Sequence, residues 1–266
     1  MKIAFTLTAL SLLGWPLQAA LVTTADNGSP AGDGQTSFLE ALTNLTDNET
    51  ISFNIPGAGP HYLITPPGGY PLIEKSGVTI NGYSQPGTSP NTAGLRQPNT
   101  ASLRIVLDSR TAVEGERRTV INYPGFGTSE SCILGLFDAV NARIRGLAFI
   151  GVAGTGSDSD AAVYNIALIK ASTGVKVQGC WFGIDPGVGS WAPDSAGVVP
   201  GVHGARSAVA SFKWNDGSSS DGLIFGTDGD GIGDPGEFNI SVAQRLAVHL
   251  QTPKVTVSGN WFNFLP

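Results

Sequence analysis

The sequence predicts an all-β fold, a right-handed parallel β-helix with a short N-terminal amphipathic capping helix. Three observations carry that expectation. A five-residue pattern recurs as Val78-Thr-Ile80-Asn-Gly82, Ala142-Arg-Ile144-Arg-Gly146, Val175-Lys-Val177-Gln-Gly179 and Val255-Thr-Val257-Ser-Gly259. Alternating apolar and polar residues have the period of a half-buried strand, and a closing glycine marks a bend in the backbone. Three of the four continue into aromatic residues, Leu147-Ala148-Phe149, Cys180-Trp181-Phe182 and Asn260-Trp261-Phe262, so the repeating unit is a strand together with its corner. The intervals between the glycines are unequal while the core of the pattern is constant, as in a solenoid whose stacked turns carry loops of different size. A propeller repeats at a steadier interval of roughly 40 to 50 residues and builds its blades from hairpins; few two-residue hairpin turns join apolar runs here.

Composition agrees with this reading. Charged residues make up 14% of the 266 positions, against about 25% in an ordinary globular chain, while 36 glycines and 17 prolines mark a turn-rich protein. The formal charge of −6 disfavours nucleic acid and polyanionic membrane surfaces, which are bound through clustered lysine and arginine.

Residues 1–20 read as a secretory signal peptide: Lys2, an apolar run from Ile3 to Trp15, then Pro16-Leu-Gln-Ala19-Ala20, with cleavage after Ala19 or Ala20. The apolar run falls short of the about 20 residues a spanning helix needs, and no later run supplies a transmembrane segment of the mature chain. The expected location is secreted, at the cell surface or extracellular, with the periplasm as the other destination. Residues 21–50 form the cap of the solenoid. Within them Phe38, Leu42 and Leu45 stand at helical spacing after a hydroxyl residue suited to an N-cap, and a helix laid over the first coil would cover its apolar interior and strand edges. Residues 51–266 form the parallel β-helix. Strands are expected at 50–54, 62–65, 78–80, 103–107, 119–121 and 132–137, with a Pro-, Gly-, Asn- and Thr-rich loop over 84–99. The clearest coils are 143–151 and 163–182. Cys132 and Cys180 fall on different sides of different coils, which favours two buried thiols over a disulfide.

Several of these segments carry a family resemblance. Thr36-Ser37-Phe38-Leu39-Glu40-Ala41-Leu42, Thr50-Ile-Ser-Phe53, Pro71-Leu72-Ile73 and Val78-Thr-Ile-Asn-Gly82-Tyr83-Ser-Gln-Pro-Gly87-Thr resemble the N-terminal module of bacterial secreted right-handed β-helix repeat proteins of the pectin-lyase-like group, whose cap often carries a Cys-Ser-Leu-Arg-Glu-Ala helix. Gly179-Cys-Trp-Phe182-Gly-Ile-Asp185-Pro, and Gly226-Thr-Asp-Gly-Asp-Gly through to Asn239-Ile-Ser241, are similar to coil and loop signatures of the same proteins. Thr36 and Leu39 stand where the family has Cys and Arg, and the chain stops inside a coil where relatives are often longer. The resemblance implies the fold; it leaves activity open, because the group mixes lyases, hydrolases, adhesins and members of no established activity.

Lyases of this group are implied to hold Ca²⁺ with carboxylates on neighbouring coils and to use Arg or Lys as base, and hydrolases to use clustered aspartates. Such chemistry needs groups within hydrogen-bonding reach of one sugar, and no catalytic constellation is identifiable by spacing. Asp108, Asp138 and Asp185 lie singly at strand ends or corners, and His61, His203 and His249 lack metal-ligand spacing. Arg143 and Arg145 alternate with Ile144 and face solvent from one coil, suited to an acidic sugar or simply solvated. Trp181 and Trp261 admit two readings. If the glycine corner resets the alternation, Phe149, Phe182 and Phe262 point inward and the two Trp rings point out as sugar platforms; if the phase continues through the glycine, the Trp rings are core. The acidic loop Asp228-Gly-Asp230-Gly-Ile-Gly-Asp234-Pro-Gly-Glu237 is the candidate metal site, since carboxylates alternating with glycine can curl around Ca²⁺ and its about six to eight oxygens. Ile232 and Asn239 break the EF-hand pattern, and a solvated turn of Gly and Asp is the competing reading.

Three function classes follow: an exported noncatalytic surface or adhesion-type protein contacting extracellular polysaccharide or cell-surface components, a polysaccharide lyase or glycoside hydrolase, and a noncatalytic carbohydrate-binding module. The first asks least of the residues and is the expectation carried forward.

Overall fold

In the computed structural model, which describes residues 19–28, 31–110, 118–122, 129–151, 163–188, 205–214, 216–242, 244 and 246–263, the strands form three sheets. The first sheet contains β1 (Ala19–Val22), β2 (Thr50–Phe53), β4 (Thr79–Asn81), β8 (Arg143–Arg145), β11 (Lys176–Gln178), β14 (Ile224–Gly226) and β17 (Thr256–Ser258), in that spatial order. The second contains β3 (His61–Ile64), β5 (Ile105–Asp108), β9 (Ala148–Ile150), β12 (Trp181–Phe182), β15 (Ile240–Ser241) and β18 (Trp261–Phe262). The third contains β6 (Arg118–Asn122), β7 (Ser129–Phe137), β10 (Val163–Ile169), β13 (Ser207–Ser211) and β16 (Leu246–Leu250). Paired strands are parallel except β6 and β7, which run antiparallel. From β8 onward the chain visits first, second and third sheet in rotation, so each sheet gains one strand per circuit.

All four repeats lie in the first sheet, at β4, β8, β11 and β17, and their central residues are register partners. Ile51, Ile80, Ile144, Val177, Phe225 and Val257 form one column, each Cα paired with the next. The first five are buried. Val257, expected inside with the others, is 38% exposed because β17 is the last strand of the sheet and nothing among the described residues stacks on its far side. In the second sheet Leu63, Leu107, Phe149, Phe182, Ser241 and Phe262 form the matching inward column. Where Ser241 is too small to fill its place, Phe225 enters from the first sheet, giving ring-centroid separations of 5.0 Å for Phe149–Phe182, 5.6 Å for Phe182–Phe225 and 6.5 Å for Phe225–Phe262. Leu134, Leu136, Ile166, Leu168 and Val209 of the third sheet close the same cluster.

The corners between the first two sheets explain the glycines. Gly146 and Gly179 adopt left-handed φ of 68° and 63°, a region that costs an L-residue about 1–2 kcal/mol. A Cβ at Gly146 would strike the Tyr83 ring, and one at Gly179 would strike the Tyr83 hydroxyl and the Gly236 carbonyl. Two asparagines finish the later corners. Asn239 accepts from the Cys180 amide at 2.8 Å and donates to the Val177 carbonyl at 2.9 Å, while Asn260 donates to the Phe225 carbonyl at 2.7 Å.

At the N-terminal end, helix α1 (Phe38–Thr43) is shorter than the expected amphipathic stretch but uses the expected N-cap. Ser37 Oγ accepts from the Glu40 amide at 3.2 Å and the Glu40 carboxylate accepts from the Ser37 amide at 2.8 Å, a reciprocal capping box. Phe38, Ala41, Leu42 and Leu45 join the interior cluster with Val22, Ile51 and Phe53, and the Phe38 ring lies 5.8 Å from Phe53 and 5.1 Å from Tyr70. Residues 1–18 of the expected leader lie outside the described residues; Ala19 and Ala20 begin β1 and pair with Thr50 and Ile51. No helix among the described residues is long and apolar enough to cross a membrane.

Two further apolar clusters lie outside the central one. Cys132, Tyr164, Ala167, Ile169, Ala210 and Phe212 cover the outer side of the third sheet. Val106, Ala148, Trp181 and Ile240 on the second sheet are covered by Tyr83, Ala101 and Leu103 from the chain around the 84–99 loop. Cys132 and Cys180 are both buried in separate clusters. Burial pushes the Cys180 thiol up to about 12, a poor nucleophile in the fold.

Replacing Gly179 with alanine is expected to destabilise the protein by about 3 kcal/mol or more, from the left-handed φ plus overpacking against Tyr83. Ser37→Ala should cost only about 1 kcal/mol, the value of one cap. Chemical denaturation of the two variants checks both, and equal costs would contradict the corner account.

Candidate functional site

The outer face of the first sheet is the one left without an apolar cover. Its outward residues form two polar columns. Thr50, Thr79, Arg143 and Lys176 are successive register partners in one, and Ser52, Asn81, Arg145 and Gln178 in the other. Arg143 and Lys176 are therefore stacked on neighbouring strands, with Arg145 two residues along on the same face. The Arg145 guanidinium lies over the Tyr83 ring, 5.3 Å from its centroid, which fixes the plane of its donors. Tyr83 is itself anchored by donating to the Gly179 carbonyl at 3.0 Å. Its phenol is pushed well above the ordinary range, first by burial.

The acidic loop forms the opposite wall of a groove of about 590 Å³ lined by Asn91, Thr92, Arg143, Arg145, Lys176, Asp228, Asp230 and Glu237 among others. Two groups of candidate residues far apart in sequence, the arginines of β8 and the loop carboxylates, thus share one site. Lys176 Nζ reaches Asp228 Oδ2 at 2.7 Å across it. Gly229, Gly231 and Gly233 have left-handed φ of 74°, 81° and 74°, which lets the loop coil tightly enough to bring Asp228, Asp230 and Asp234 within 4.8 Å of one another. Their oxygens are largely used within the loop. The Ile232 amide donates to Asp230 at 2.7 Å, the Gly231 amide to Asp234 at 3.2 Å, and the Asp228 amide to Glu237 at 3.1 Å. The donor set of hard carboxylates suits Ca²⁺, but an ammonium already sits on Asp228, so a cation would have to displace Lys176. The loop is built first as a self-satisfied turn.

The expected tryptophans divide. The alternation does reset at the glycine: Phe149 and Phe182 are interior, and Trp181 and Trp261 occupy the outward column with Tyr62, Val106, Ala148 and Ile240. Yet Trp181 is 4% exposed, because Leu103 and its neighbours pack over the second sheet, so it presents no ring face to a sugar. Trp261 is half-buried and lines a separate groove of about 670 Å³ with Leu95, Arg96, Gln97, Pro98, Asn260 and Phe262, apart from Arg143 and Arg145. His61 and His249 lie in different sheets, and His203 lies outside the described residues.

One constellation was not visible in the sequence. Asp108 at the end of β5 and Asp185 after β12, 3% and 5% exposed, share Arg110. Arg110 reaches Asp108 at 2.8 Å and Asp185 at 3.6 Å, while Asp185 also accepts from the Tyr62 hydroxyl at 2.7 Å and the Gly187 amide at 2.8 Å. Burial, then the hydrogen bond to Asp185, raises the Tyr62 phenol to about 12. With both carboxylates engaged by Arg110, the arrangement ties the ends of three second-sheet strands together and leaves no carboxyl pair open to a glycosidic bond. Lys170 and Asp138, paired at 2.6 Å, form a partly exposed ion pair on the third-sheet side.

Comparison with protein-family models, curated proteins and solved structures finds no match. The site is therefore read from its own geometry.

The Lys176 hydrogen bond is the main cause holding the Asp228 carboxyl below its ordinary value of 3.8. A depressed carboxylate contributes stability that is fully present above its unfolded value and is lost as pH falls through the folded one. The stability gap between wild type and Lys176→Met is thus expected to be constant at neutral pH and to close below about pH 4. Thermal melts over a pH series check this, and a gap that widens on acidification would contradict it.

Proposed function

We propose that the chain is an exported, noncatalytic surface protein on a right-handed parallel β-helix of the pectin-lyase-like group, and that it binds acidic extracellular polysaccharide along the outer face of its first sheet. The rotation of the chain through three parallel sheets supports the helical reading. The observation that carries the function is the register of Arg143 and Lys176, with Arg145 beside them, on the one sheet face without an apolar cover.

The mixed charge of the groove suits a sugar acid. Arginine forks on the floor match a carboxylate, and Asp230 and Glu237 on the wall can accept from ring hydroxyls. A densely charged polyanion would meet those carboxylates and be repelled, which fits the acidic balance of the whole chain. Catalysis is less well served: Lys176 is held by Asp228, and Asp108 and Asp185 are held by Arg110.

Binding of polygalacturonate and alginate, compared with a neutral glucan, tests the reading. Acidic glycans are expected to bind with an affinity that falls with salt, and Arg143→Ala with Arg145→Ala should weaken binding at least about tenfold, the loss of roughly 1.4 kcal/mol or more. Equal binding of neutral glycans, or no change in the double variant, would remove the groove from the account. Release of unsaturated uronides or new reducing ends would replace the noncatalytic reading with the enzymatic one.

A further inference from the structure

The two ends of the strand stack are finished differently. At the N-terminal end α1 lies over the interior, and the edge of β3 is engaged by Asn27, which donates to the Ile64 carbonyl at 2.8 Å. The third sheet there ends in the antiparallel β6. At the opposite end β16, β17 and β18 are the terminal strands of their three sheets. Their outer backbone groups face away from the stack, and a row of free amides and carbonyls is a template for pairing.

Soluble proteins usually protect such an edge with lysine, proline, a bulge or a covering segment. These three strands, Leu246-Ala-Val-His-Leu250, Thr256-Val-Ser258 and Trp261-Phe262, contain no Lys, Arg, Asp, Glu or Pro. Apolar exposure concentrates here as well. Of the eight most exposed large hydrophobic residues among those described, Leu246, Leu250 and Val257 lie on these strands and Leu95 lines the groove beside β18. Half of that exposed apolar surface thus borders one end of the molecule, as expected of an interaction site.

We propose that in the 266-residue chain this end pairs with the same end of a second copy. An uncharged edge meets its own image without like-charge repulsion, which favours self-association over a charged partner. The N-terminal end, with its helix and antiparallel strand, offers no matching parallel edge, so head-to-tail stacking into a filament is blocked and the contact is isologous and closed. A two-fold axis across the end reverses the direction in which the second copy circulates. β17 then meets the second copy's β17 antiparallel, and β18 meets the second copy's β16 in the groove bounded by residues 95–98. Val257 and the outer face of Phe262, left open on the last circuit, become interior. This contact is separate from the polysaccharide groove and stands or falls independently of it.

Sedimentation equilibrium of the purified protein, with amide exchange read at 256–258, tests the pairing. The expected result is a dimer whose β17 amides become better protected as protein concentration rises. Leu250→Lys with Val257→Lys should shift the equilibrium to monomer by at least tenfold in dissociation constant, with far-UV circular dichroism unchanged. Ile232→Lys, a change at an exposed hydrophobic residue away from this edge, should leave the dimer intact. A protein that stays monomeric with concentration-independent exchange at β17, a dimer indifferent to the edge substitutions, or one abolished by Ile232→Lys would overturn the proposal. If the double variant does not fold, the concentration dependence of β17 exchange in the wild type decides alone.

Discussion

Register-matched stacking of interior side chains, one strand directly upon the next in parallel, is the constraint on which the rest of this molecule depends. The column from Ile51 to Val257 sets the spacing of the first sheet, and the Phe149–Phe182–Phe225–Phe262 series does the same beside the second. A slip of one residue would move every member of a column to the opposite face. Register is fixed at the corners. The left-handed glycines turn the chain at a constant point, Tyr83 lies against two of them, and Asn239 and Asn260 bind the freed backbone of neighbouring strands. An alternative residue at these corners meets backbone or an anchored ring.

Because the inward column is fixed, so is the outward one. Residues offset by one from Ile144 and Val177 must project together, and this places Arg143, Lys176 and Arg145 on a common face without any pairing among themselves. What distinguishes the first sheet is the covering of the other two. The chain around the 84–99 loop spends its apolar residues on the second sheet, burying Trp181, and aromatic side chains close over the third. The functional surface is thus the face that the protein did not need for its own packing. The 228–237 loop then adds carboxylates to one wall, with the Lys176–Asp228 contact as its tether.

Much of this was legible in the chain. The four repeats identified strands that do share one sheet, the hydroxyl before Phe38 located the helix start, and the reset of alternation at the glycines placed the phenylalanines inside. The unread parts have physical causes. β13, Ser207-Ala-Val-Ala-Ser211, is buried on both faces and built of small residues, so it lacks the two-residue period that marks a half-buried strand. β14 runs Leu223-Ile-Phe225-Gly226 with no polar residue before the glycine, which hid the strand that fills the longest interval between repeats. The burial of Trp181 depended on a distant loop, and the Asp108–Arg110–Asp185 contact on the circuits between them. Neither follows from local spacing.

Disulfide trapping across the first sheet tests the central claim most directly. In a background with Cys132 and Cys180 replaced by serine, cysteines at Thr79 and Arg143 occupy directly opposed positions on neighbouring parallel strands, within bridging reach. The account predicts that this pair oxidises readily while cysteines at Thr79 and Arg145, two residues out of register, do not. Efficient bridging of the displaced pair, or of neither, would contradict the stacking from which the fold and the groove are derived.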